Sequence, residues 1–74
     1  MNEDLFIVAL DDERIVGYTV GEIETLGRKN APRKAGHVLN IAIRGEYQGK
    51  GVGTMLLDEI EKRFKRKGAN IAYL

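Results

Sequence analysis

The sequence predicts a small α/β domain on a mixed sheet: an antiparallel hairpin, a central strand, a glycine loop, one helix and a last strand parallel to the central one. Three observations predict it. Runs of strand formers at 5–10, 15–25 and 37–43 are separated by polar or glycine-bearing breaks. Residues 52–67 carry apolar side chains at four-residue spacing. A further apolar stretch, 69–74, follows, and a right-handed crossover lays it parallel to the strand before the helix. At 74 residues the chain holds one domain at most.

Leu5-Phe6-Ile7-Val8-Ala9-Leu10 is too short for an ordinary helix, and Asp11-Asp12-Glu13-Arg14 supplies the polar turn of a hairpin. Over 15–25, Val16, Tyr18 and Val20 alternate with Ile15, Gly17, Thr19, Gly21 and Ile23, so one face is unusually small. Gly17 and Gly21 there fit a bulge or a close helix crossing better than a ligand contact. Residues 26–35 hold Gly27, Asn30 and the only proline, Pro32, and are expected as an exposed loop. Its Arg28, Lys29, Arg33 and Lys34 read as a solvated surface, the alternative being attraction of an anionic ligand's distal phosphate. His37-Val38-Leu39-Asn40-Ile41-Ala42-Ile43 shows little polarity on either face, as an inner strand should.

A glycine-punctuated turn, 44–51, then leads into the helix, where Val52, Leu56, Ile60 and Phe64 form a stripe widened by Met55 and Leu57. Gly68 suits the residue just past the helix end, and the basic run Lys62 to Lys67 places positive charge at the negative end of the helix dipole. That electrostatic role accounts for the run better than nucleic-acid binding, for which no aromatic stacking platform is present.

Composition narrows the function. With 43% hydrophobic and 31% charged residues the chain is globular, and a net charge of +1 gives no global reason for a nucleic-acid or acidic partner. The absence of Cys excludes disulfides, thiolate nucleophiles and Cys-based zinc sites. The lone His37 cannot build a histidine metal cluster, and no metal is expected. The longest apolar run, 5–10, is far short of the ~20 residues of a membrane span, and the N-terminus is acidic rather than basic. A soluble, unexported, cytoplasmic chain with no membrane partner is expected.

The junction of strand, glycine loop and helix carries the chemistry. A helix start leaves four backbone N–H groups without intrahelical partners and bears partial positive charge, so it binds phosphate where the backbone is approachable. Gly49, Gly51 and Gly53 strip side chains from the turn, Lys50 adds a cation, and the first acidic residue of the helix is delayed to Asp58. A Walker A loop is excluded because Arg44 stands where its first glycine belongs and Gly51 where its hydroxyl belongs. The dinucleotide fingerprint fails in both glycine frames, and the G-x-x-G loop of RNA-binding KH domains is absent.

What remains is Gln48-x-x-Gly51-x-Gly53 after an apolar strand and before an amphipathic helix. It resembles the [RQ]-x-x-G-x-[GA] acyl-CoA loop of the GNAT superfamily of acetyl-CoA-dependent N-acetyltransferases, and the run from Asn40 to Leu57 matches in order. The resemblance covers residues 5–74, and Gly36 to Ile43 is similar to the ribosomal-protein alanine N-acetyltransferase subgroup, which acetylates protein N-termini. It implies acetyl-CoA as donor and an amine as acceptor, transferred directly without metal. It further implies a pantetheine arm on the backbone of Ile41, Ala42 and Ile43. The pyrophosphate would sit on the amides of Gly49, Lys50, Gly51, Val52, Gly53 and Thr54, with Gln48 bracing the loop. A β-bulge near Asn40 to Ile41 is expected.

For the acceptor side, His37 is the candidate base, in competition with a role as a partly buried strand-end histidine; Glu22 and Glu24 are further candidates. Tyr18, Tyr47 and Tyr73 are expected as packing groups. Gly45 stands where many members have proline, and Leu74 falls about half way through the usual domain. The subgroup's proposed base on the following strand, and its tyrosine acid beyond, have no counterpart here. The alternative is therefore a non-catalytic, acetyl-CoA-binding or structural half-domain, and exposed sheet edges point to a homodimer or higher oligomer.

Overall fold

The computed structural model describes residues 3–74. Among them the chain forms a 3-10 turn at Glu3–Leu5, strands β1 (Phe6–Asp11), β2 (Arg14–Arg28) and β3 (Ala31–Ile43), a second 3-10 turn at Gly45–Tyr47, helix α1 (Val52–Arg66) and strand β4 (Ile71–Tyr73). The four strands form one mixed sheet whose order, β1-β2-β3-β4, is the order of the chain. The first three run antiparallel, and β4 joins β3 in parallel after the crossover through α1.

Two register shifts shape the sheet. Ala9 faces Gly17 but Leu10 faces Ile15, so Val16 is extra; it is buried, and its carbonyl accepts the Arg44 N–H at 2.8 Å. Val20 faces Asn40 but Gly21 faces Val38, which leaves Leu39 without a cross-strand partner. Beside this bulge the fully buried Thr19 hydroxyl donates to the Asn40 carbonyl at 2.9 Å. The bulge sits one residue before the Asn40–Ile41 step at which it was expected.

Strand alternation puts Gly17, Thr19, Gly21 and Ile23 of β2 on the face that α1 covers. The core is Leu5, Val38, Ile60, Phe64 and Ala69, with Ile7, Ile23 and Leu57 packed against it. Phe64 takes the floor that Gly21 and Gly36 leave: a Cβ on either would lie 2.6 Å and 2.2 Å, respectively, from its ring. The small face is thus a helix-crossing site. The other face of the sheet holds Phe6 stacked on Tyr18, with ring centroids 5.9 Å apart, and Val20, Glu22, Glu24 and His37.

The expected loop at 26–35 is a correction. β2 and β3 continue as paired strands through Arg28↔Ala31, and only Lys29 and Asn30 form the turn. Gly27, at φ +91°, opposes Pro32 across the arm. Only β2 flanks this part of β3, so a proline whose nitrogen faces outward loses no ladder bond. Both faces of the arm are wet, so it lacks the hydrophobic alternation by which strands are read. The arm draws the molecule out to 47 Å. Smaller corrections follow: the strand expected at 69–74 is the shorter Ile71–Tyr73, and the helix expected to 67 ends at Arg66. No helix among the described residues is long and apolar enough to cross a membrane.

Candidate functional site

β3 delivers the chain to the foot of α1 and fastens it there. Besides its backbone bond to Val16, Arg44 donates from Nε to the Ile15 carbonyl at 2.9 Å. The 3-10 turn that follows is closed by Tyr47 N–H to Arg44 O and Gln48 N–H to Gly45 O. The Tyr47 hydroxyl donates to Asp11, whose carboxylate holds the phenol above its ordinary 10.0. Gln48 Nε2 donates to the Ile43 carbonyl at 3.1 Å, tying the loop back to the end of β3.

Gly49 and Gly51 then take left-handed backbone angles, φ 77° and 87°, and a Cβ on either would meet nothing within 4 Å. Gly51 is the N-cap of α1, with no side-chain capping bond and no acidic residue in the first turn. The first intrahelical bond runs from Met55 N–H to Gly51 O, so the amides of Val52, Gly53 and Thr54 have no acceptor within the helix. Lys50 and Thr54 are exposed beside them. Bare backbone, open amides and the positive helix end are together the features that an anion-binding site requires. Gly53 differs: its Cβ would come within 3.0 Å of Ile43 Cδ1, so it also lets α1 approach β3. Ile41 and Ile43 are half-buried and Ala42 is exposed, just after the Leu39 bulge.

The structure does not bring His37 to this loop. It lies six residues before Ile43 on β3, roughly 20 Å away by strand rise. There it faces Glu22 in register, with Nδ1 3.1 Å from Glu24 Oε1 and 3.5 Å from Glu22 Oε1. Tyr73 of β4 stacks on the imidazole with ring centroids 4.5 Å apart, and its hydroxyl donates to Glu24 Oε2 at 2.5 Å. That hydrogen bond first, and His37 after it, hold the Glu24 carboxyl below its ordinary 4.5; the same contact raises the Tyr73 phenol above 10.0. Tyr73 therefore does more than pack. The available signal was the two-residue spacing of Glu22 and Glu24 opposite a histidine, but the strand pairing that joins them is not written locally.

Three of the basic residues make structural contacts. Lys34 Nζ donates to the Lys67 carbonyl at the helix end, Arg63 Nη1 donates to Asp4 O, and Lys67 pairs with Asp4 at 3.3 Å. A depression of about 420 Å³ between Pro32–Lys34 and Gly68–Ile71 lies at neither the loop nor the histidine.

Comparison with known proteins gives the same picture. The sequence pattern of the Acetyltransferase (GNAT) family matches residues 1–74. Over 65 residues the chain is 38% identical to an N-alpha-acetyltransferase of Saccharolobus solfataricus, covering 81% of this chain and 38% of that protein. Over 64 residues it is 33% identical to an uncharacterized N-acetyltransferase of Methanocaldococcus jannaschii, covering 86% and 36%. The chain thus spans less than two fifths of the length of these curated relatives. Among solved structures, an acetyltransferase from Vibrio fischeri superposes with a TM-score of 0.80 at 25% identity, over 89% of this chain and 55% of that one. From strand to glycine loop to helix, and along its whole sequence, this chain belongs to the GNAT family of acetyltransferases.

Proposed function

We propose that the chain binds acetyl-CoA along Ile41–Ile43 and the loop Gln48–Thr54, and that it serves transfer of the acetyl group to an amine, a protein N-terminal α-amine. The observation that carries the reading is the foot of α1, where two left-handed glycines with open space around them precede three unpartnered amides. A pyrophosphate fits that cradle by charge and by shape. The acceptor class follows the Saccharolobus solfataricus relative, an N-alpha-acetyltransferase.

When bound, acetyl-CoA supplies an activated thioester. The chain's own part is to hold the pyrophosphate on the amides of Gly49 to Thr54, with Lys50 adding a cation, and to lay the arm against Ile41, Ala42 and Ile43. His37 takes the acceptor's proton on Nε2 in the tautomer whose Nδ1–H donates to Glu24, 3.1 Å away.

Calorimetric titration with acetyl-CoA tests the cradle. Micromolar binding that disappears in Gly51→Glu, which puts a carboxylate where the pyrophosphate sits, supports it; no binding, or equal binding by the variant, ends it. Transfer to a peptide with a free α-amine, and none to the same peptide with that amine blocked, supports the acceptor. Phe6, Val8, Leu10 and Ile71 are all at least 40% exposed, which favours a second reading in which the chain binds acetyl-CoA but works only when paired with another chain or copy. Binding without turnover supports that reading.

A further inference from the structure

The cluster on the sheet face opposite α1 combines one imidazole nitrogen with two carboxylates, and its donor atoms all lie within 4.8 Å of one another. We propose that Glu22, Glu24 and His37 form a binding site for a borderline divalent cation of the zinc or cobalt kind, held by His37 Nδ1 and one oxygen from each glutamate.

Backbone register builds the set. Glu22 and His37 are direct cross-strand partners, and Glu24 is the next residue of β2 on the same face. Tetrahedral bonds of 2.0–2.2 Å place ligand atoms about 3.3–3.5 Å apart. The Nδ1 to oxygen distances here are 3.1 and 3.5 Å, so a cation requires little movement of either carboxylate toward the ring.

The ligands are also held from behind, as metal ligands are. Tyr73 fixes the imidazole plane by stacking and takes up the outer oxygen Oε2 of Glu24, leaving Oε1 to face inward. The ligand oxygens of Glu22 and Glu24 and the His37 nitrogen all lie within 4.8 Å of one another, so one ion can reach all three. The nitrogen ligand selects zinc-like ions over magnesium or calcium, which prefer oxygen-only sites. Three protein ligands leave a fourth position open.

Occupancy also changes the imidazole. A neutral ring bound through Nδ1 carries its proton on Nε2 and has no lone pair there to accept another. Loading therefore switches off His37 as a base. That consequence rests on the proposed role of His37; the cation site does not.

Cobalt(II) titration followed by visible absorption, confirmed by zinc competition, tests the site on the wild-type chain and on Glu22→Gln, Glu24→Gln and His37→Gln, each checked for folding by circular dichroism. The expected result is one equivalent bound per chain with a tetrahedral spectrum, weakened at least tenfold in His37→Gln and in each glutamate variant, and not displaced by magnesium. Absence of binding, binding unchanged in all variants, or loss in His37→Gln alone would overturn it, the last by marking a lone imidazole. Binding that leaves acetyl transfer untouched keeps the cation site and removes His37 from the base role.

Discussion

Phe64 is seated on Gly36: a Cβ on that glycine would fall 2.2 Å from Cδ2 and 2.3 Å from Cγ of the ring. The helix reaches the sheet at this height only because β3 has no side chain there, and Gly21 repeats the arrangement from β2. Fully buried Phe64 holds the middle of a core otherwise made of small aliphatic contacts.

Gly36→Ala is therefore expected to lower stability by about 1–3 kcal/mol through overpacking. Gly45→Ala, whose Cβ would meet nothing within 4 Å, is the matched control and is expected to be close to neutral. Urea midpoints of the two variants check this, and equal midpoints would contradict the seating.

Thr19→Val leaves the Asn40 carbonyl beside the bulge without its buried hydroxyl partner. The expected cost is about 1–3 kcal/mol, with Thr19→Ser recovering most of it. Denaturant unfolding reads the difference, and amide exchange around Leu39 should rise in the valine variant alone.

Gln48→Ala cuts the tie from the glycine loop to Ile43 O, which is worth about 0.5–1.5 kcal/mol in stability. The larger expected effect is on acetyl-CoA, because the open amides of α1 lose their fixed position relative to β3. Calorimetry should show weaker binding with the helix content unchanged.

The Tyr73–Glu24 hydrogen bond makes stability depend on pH at both ends. Glu24 titrates lower in the folded chain than its ordinary 4.5, so its contribution is present above that value and is lost as pH falls through the folded pKa. Tyr73 titrates above its ordinary 10.0, so its contribution is present below that value and is lost as pH rises through the folded pKa. Tyr73→Phe should remove part of the alkaline limb, the rest belonging to Tyr47 held high by Asp11, and part of the acid limb. The remainder of the acid limb belongs to Glu24, still lowered by His37, and to Glu59, which Arg63 holds low by a 2.9 Å bond. Unfolding midpoints from pH 3 to 11 distinguish the two shapes.

The sequence exposed the glycine loop because that loop is local. Gly49, Gly51 and the stripe Val52, Leu56, Ile60, Phe64 lie within one strand–loop–helix stretch, where spacing alone sets conformation. The cluster around His37 was legible only in parts. His37, Glu22 and Glu24 were visible as residues, but their meeting depends on a register set 13 to 15 positions apart, and Tyr73 arrives on a third strand. The arm at 26–35 was misread because glycine and proline usually break strands, and here they oppose each other as Gly27 and Pro32 on a two-stranded stretch with solvent on both faces.

The spatial order of the strands repeats their order in the chain. Each of β2, β3 and β4 pairs with the strand synthesised just before it, so this part of the sheet can assemble in the direction of translation. A nascent chain released as far as Ile43 already contains the whole antiparallel part of the described sheet, and the glycine loop and α1 follow on that support before β4 adds the parallel edge.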